Sequence, residues 1–89
     1  MEQITKQRVQ VFHALEGVPG RWLSVSEVSD LAGVPHRSAR NILPKLSTLG
    51  VLDVFKATLG HRYKLNEKMD RNGKEYADLL RQAYDVLGL

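Results

Sequence analysis

The amino-acid sequence predicts a mainly α-helical domain with one small β-hairpin, an α+β fold. Three observations lead there. Apolar residues recur at helical spacing in four separate stretches. The only runs rich in β-branched and aromatic residues, Val51–Ala57 and His61–Leu65, flank a Gly-containing connection. The 89 residues suffice for one core and not for two ordinary domains. The predicted order is helix, short strand, helix, helix, hairpin, helix.

Ile4, Val11, Phe12 and Leu15 lie on one stripe of a first helix, with Lys6, Gln7, Gln10 and His13 elsewhere on its circumference. Gly17 and Val18-Pro19-Gly20 stop it. Arg21–Leu23 reads as a short extended stretch, and Phe12 and Trp22 are expected in the core. Ser24-Val25-Ser26-Glu27 matches a capping box, in which a serine oxygen takes a backbone N–H and the Glu three residues on returns the bond. Val25, Val28, Leu31 and Ala32 form the apolar face of the short second helix, and Gly33 supplies its left-handed end.

Pro35 suits the first turn of a third helix. Ala39, Ile42, Leu43, Leu46 and Leu49 make its apolar side, leaving Arg37, Arg40, Asn41, Lys45 and Thr48 on the polar side. Pro44 is discordant, because it removes a backbone donor and crowds the Arg40 carbonyl. A kink or an early end is expected there. In the hairpin, Tyr63 and Leu65 alternate with Arg62 and Lys64, so one face can join the core while the other stays charged. Tyr76, Leu79, Leu80, Ala83, Val86 and Leu87 place a last helix over about Asn72 to Leu87.

Charge is distributed unevenly. Between Pro35 and Leu65 six cations (Arg37, Arg40, Lys45, Lys56, Arg62, Lys64) face a single acid, Asp53. From Asn66 to Leu89 four cations meet five acids. A basic middle with a balanced tail suits a surface that meets a polyanion, the alternative being a solvated basic face. The absence of Cys excludes disulfides, thiolate metal sites and a cysteine nucleophile, and makes a cytosolic location the simplest expectation. No apolar run approaches the ~18 residues of a membrane span. Met1-Glu2-Gln3 lacks the basic and apolar regions of a secretory leader. His13, His36 and His61 show no metal-ligand spacing, so no metal or cofactor is expected. No P-loop, paired carboxylates near a His, or nucleophile motif is present, so an enzyme is not expected.

Leu23 to Val34, the basic helix Arg37 to Leu49, Gly50-Val51-Leu52 and Gly60-His61-Arg62-Tyr63-Lys64-Leu65 occur in the order found in a winged helix-turn-helix. Over residues 3–65 the chain resembles bacterial transcription regulators of the MarR-like and IclR-like kinds. It is the ordered combination, not any single piece, that carries the resemblance. This implies a winged helix-turn-helix domain over residues 1–65 and an additional C-terminal helix over 66–89, for packing or dimerisation.

The resemblance implies sequence-specific binding of double-stranded DNA by a small transcriptional or replication regulator acting through operator occupancy. A major groove about 12 Å wide admits one helix, so Arg37, Ser38, Arg40 and Asn41 become the base-facing set, with Lys45 and Thr48 nearer phosphate and His36 adding partial charge to the binding face at low pH. Lys56, His61, Arg62 and Lys64 on the hairpin are candidates for phosphates or the adjacent minor groove, and Ser24 and Ser26 at the start of the second helix for a phosphate oxygen. Tyr76, Leu79, Leu80, Ala83 and Leu87 are the expected contact set of a homodimer in the cytoplasm, nucleoid-associated in a bacterium. The other reading is a winged-helix module for protein–protein contact, or a subunit of a larger nucleic-acid-processing assembly. No small-molecule substrate is expected.

Overall fold

Seven elements follow one another along residues 3–89, the part of the chain that the computed structural model describes. They are α1 (Lys6–Glu16), β1 (Leu23–Ser24), α2 (Val25–Ala32), α3 (His36–Thr48), β2 (Leu52–Phe55), β3 (Arg62–Leu65) and α4 (Arg71–Leu87). The expectation about a secretory leader falls partly on Met1 and Glu2, outside the described residues. The predicted α+β class and element order are those observed.

The helix boundaries follow local chemistry. Thr5 caps α1 by accepting the Arg8 N–H, and Asp70 caps α4 by accepting the Gly73 N–H. In α2 the capping box is complete: Ser24 Oγ accepts from Glu27 N at 3.1 Å, and Glu27 Oε1 accepts from Ser24 N at 2.9 Å. Gly33 ends α2 at φ 70°, in the left-handed region that suits Gly. Pro35 is the N-cap of α3, one position before the first turn.

The helix α3 continues through Pro44 to Thr48, so the expected early end is corrected. Pro44 lies on the exposed side of the helix. The apolar side of α3 (Ala39, Ile42, Leu43, Leu46) is buried on both sides of it.

The sheet has three strands, in the order β1-β3-β2, all antiparallel. Leu23 pairs with Tyr63 and Ser24 with Arg62, so the stretch before α2 forms an edge strand beside the hairpin. Local pattern could not foresee this, because the pairing joins residues some forty positions apart. Leu23, Leu52 and Tyr63 point into the core with Val9, Phe12, Leu15, Val28, Leu43 and Leu46.

Helix α4 packs against α1, burying Tyr76, Ala77 and Leu80 in the same core. Gly73 lets the first turn of α4 approach the turn between α3 and β2: a Cβ there would lie 3.0 Å from the Gly50 carbonyl oxygen. Three expectations about burial are corrected. Leu31 is 53% exposed, lining an open hollow with Ala14 of α1 and Tyr84 of α4 that leaves it uncovered, and Val86 is 85% exposed near the end of α4. Trp22 is 41% exposed, because the adjacent Leu23 faces the core and an extended chain turns its neighbour to the opposite side.

Arg8 carries a charge into the interior. It is almost fully buried, and its Nη1 donates to the Gln3 carbonyl at 2.8 Å and to Tyr76 Oη at 2.9 Å. The Tyr76 hydroxyl in turn donates to the Gln3 carbonyl at 2.9 Å. This closed triangle ties the segment before α1 to α4. Nothing in the hydrophobic periodicity marks Arg8 as a core residue.

Candidate nucleic-acid interface

The tight turn at Gly33 and Val34 sets α3 across α2, and the burial of Ala39, Ile42, Leu43 and Leu46 turns the opposite side of α3 to solvent. On that side Arg37, Arg40, Asn41 and Lys45 are exposed and Ser38 is half-buried. Helical geometry puts Arg37, Asn41, Pro44 and Thr48 on one outward row, with Arg40 on one flank and Ser38 and Lys45 on the other. Thr48 turns back and donates to the Pro44 carbonyl at 3.0 Å.

The two helix starts near this surface differ in electrostatic character. The N-terminus of α2 already faces the Glu27 carboxylate, and Ser24 Oγ is engaged in capping, while Ser26 stays exposed. Hydrogen bonds from Ser24, first from its backbone N–H, hold the Glu27 carboxyl below its ordinary value. By contrast, the first turn of α3 has no side-chain cap and no acid, and His36 and Arg37 stand exposed beside its free N–H groups.

Salt bridges among the described residues lie away from this side. They join Arg71 to Glu75, and Arg81 to Glu16 and Asp78, on α1 and α4. Arg37, Arg40, Lys45, Lys56 and Lys64 take part in none of them.

The hairpin divides its candidate residues. Lys56 and His61 are exposed beside the connecting loop, whose Leu59 is 96% exposed. Arg62 is half-buried, and its Nη1 donates to the Gly60 and His61 carbonyls at 3.3 Å each. Lys64 stands opposite Asp53 in the ladder and holds its Nζ 4.8 Å from the centre of the Trp22 ring. These two cations therefore sit on the outward face of the sheet, set back from the tip.

On α4, Tyr76 and Leu80 are covered by the chain's own interior, so the expected dimer contact set is corrected to this extent: those two serve the single chain. Leu79 and Ala83 are half-buried and Leu87 is exposed. Among the described residues no His, Asp and Glu group is placed to hold a metal ion, and no helix is long and apolar enough to cross a membrane.

This arrangement of three helices, an edge strand and a β-hairpin is a winged helix-turn-helix fold, with α2 and α3 as the helix-turn-helix and β2–β3 as the wing. Solved structures with this fold include BpsR of Bordetella bronchiseptica, whose DNA binding is regulated by 6-hydroxynicotinic acid (TM-score 0.68, 13% identity, covering 98% of this chain and 60% of that one). The ferric uptake regulator of Francisella tularensis is also similar (TM-score 0.66, 19% identity, 78% of this chain and 57% of that one). So is a MarR family protein from Bacillus stearothermophilus (TM-score 0.58, 15% identity, 97% and 61%). This chain thus spans about 60% of the length of these regulators. No family profile matches the sequence, and neither does any curated protein.

Proposed function

We propose that this protein binds double-stranded DNA in a sequence-dependent manner and regulates transcription or replication by occupying its site. One observation carries the reading: the exposed cations of α3 and the wing are free of salt bridges, whereas the described ion pairs gather on α1 and α4. A helix whose outward side holds Arg37, Arg40, Asn41 and Lys45 and no acid suits a groove lined by phosphates and acceptor-rich base edges.

In this reading Arg37 and Arg40 are the residues for guanine and Asn41 for adenine, each pair being worth ~1–3 kcal/mol of discrimination. Ser38, Lys45 and the uncapped start of α3 at His36 take phosphate oxygens. Ser26 at the start of α2 and Lys56 and His61 beside the wing tip add backbone contacts. A homodimer would use the part of α4 that the single chain leaves uncovered, Leu79, Ala83 and Leu87 together with Val86. Two-fold symmetry would then match a palindromic site.

The test is fluorescence anisotropy with a pool of duplex fragments at about 50 and 200 mM salt, followed by selection of the preferred sequence. Binding is expected to weaken steeply with salt, by roughly 0.9 in log–log slope per phosphate neutralised. The Arg37→Ala, Arg40→Ala double variant should bind at least ~10-fold more weakly and lose sequence preference. Absence of duplex binding at low salt in the folded parent protein refutes the proposal and favours a protein-contact module.

A further inference from the structure

The outward face of the three-stranded sheet has a composition that duplex binding by α3 does not use. Trp22, Phe55, Arg62 and Lys64 share it, because Leu23, Leu52 and Tyr63 occupy the opposite, buried face. Trp22 and Phe55 are 41% and 58% exposed, with ring centroids 6.0 Å apart and planes inclined by 63°. Lys64 lies across the Trp22 ring and Arg62 pairs with Phe55 in the ladder. Scattered apolar residues on a surface are ordinary, but two large rings held together and interleaved with cations form a specific surface. Asp53, opposite Lys64 in the ladder, is the one acid of β2 and β3, and the nearby Glu27 is bound to Ser24.

We propose that this face is a platform for single-stranded nucleic acid, with unpaired bases against Phe55 and Trp22 and phosphates at Arg62 and Lys64. Aromatic rings flanked by cations match the two halves of a single strand, its flat bases and its charged backbone. In a duplex the base faces are hidden, so the rings would be idle. The core lies between this platform and the buried side of α3, so the two surfaces are separate. One chain could hold a duplex on α3 and an adjoining unpaired segment on the sheet. The inference goes beyond the duplex reading and stands without it.

Trp22 is the sole tryptophan, so its emission reports directly on this face. The full-length protein is titrated with a (dT)12 oligonucleotide at low salt, following Trp22 fluorescence, and in parallel with labelled (dT)12 by anisotropy. The expected result is saturable, salt-sensitive quenching. Phe55→Ala should weaken (dT)12 binding about 10-fold or more, and Phe55→Leu, which keeps apolar bulk and loses the ring, should weaken it nearly as much. The Arg37→Ala, Arg40→Ala variant should keep its (dT)12 affinity within about two-fold. Phe55 is largely exposed, so both variants should retain the parent's circular dichroism. The inference is overturned if (dT)12 causes no quenching, in which case the face fits an aromatic-seeking protein partner instead. It is equally overturned if Phe55→Leu binds like the parent, or if the α3 double variant loses (dT)12 binding.

Discussion

Leu80→Ala tests what α4 does. Leu80 is fully buried and lies beside Val9 and Phe12 of α1, with Tyr76 and Ala77 sharing the same core. Truncation to Ala removes three carbon atoms, about 2.4 kcal/mol at ~0.8 kcal/mol per buried methylene. Helices α1 and α4 are anchored along their length and can close the gap only in part, so a cavity cost of roughly 1 kcal/mol adds to this. A loss of about 3–4 kcal/mol is expected. At ~4–8 °C per kcal/mol for a domain of this size, the Tm should fall by roughly 12–30 °C. Lys74→Ala, at an exposed position of the same helix, should change stability by less than ~0.5 kcal/mol. Urea unfolding followed by far-ultraviolet circular dichroism, at two protein concentrations about 20-fold apart, checks both. If Leu80 packs within one chain, its cost is the same at both concentrations. A cost below ~1 kcal/mol, or one that grows on dilution, would refute the assignment and place Leu80 between subunits.

Four further outcomes follow from the same structure. Gly73→Ala should destabilise by about 1–2 kcal/mol in thermal melts, because the overpacking against the Gly50 carbonyl outweighs the ~1 kcal/mol that Ala gains over Gly in a helix. Tyr76→Phe removes the hydroxyl that accepts from buried Arg8 and donates to Gln3; unfolding should become easier by ~1–3 kcal/mol, with little change for Arg71→Ala on the exposed side of α4. Glu27→Gln separates charge from capping geometry. The folded-state pKa of Glu27 lies below its ordinary 4.5, so the charge stabilises the fold above that value and the benefit fades as pH falls through the folded pKa. The Tm gap between parent and Glu27→Gln should accordingly be present at pH 6 and shrink towards pH 3; a constant gap contradicts the assignment. Lys45→Ala should flatten the salt dependence of duplex binding by about one unit of slope while leaving sequence preference intact.

Much of this fold was legible in the residues alone, for reasons that are local. Helix starts are made by side chains a few positions from the backbone they satisfy, so Ser24 and Glu27 announced α2 and Gly33 its end. The apolar stripe of α3 named its own buried side, and by subtraction its exposed cationic side, because a helix repeats every 3.6 residues. Pro44 misled only about where α3 ends. A proline costs most where its ring meets packed structure, and here it faces outward.

What required the folded chain was every question of partner. Trp22 and Leu23 are both large and apolar, and only the pairing of β1 with β3 decides which of them is buried. Tyr76 and Leu80 form a stripe that could seal against another subunit or against α1; the close approach at Gly73 and the Arg8–Tyr76 hydrogen bond turn them inward. Likewise the basic residues of the middle segment are a composition until the packing separates those on α3 from those on the outer sheet. Periodicity says which side of an element is apolar. It carries no information on what that side meets, because such contacts join residues far apart in sequence and only the closed core chooses among them.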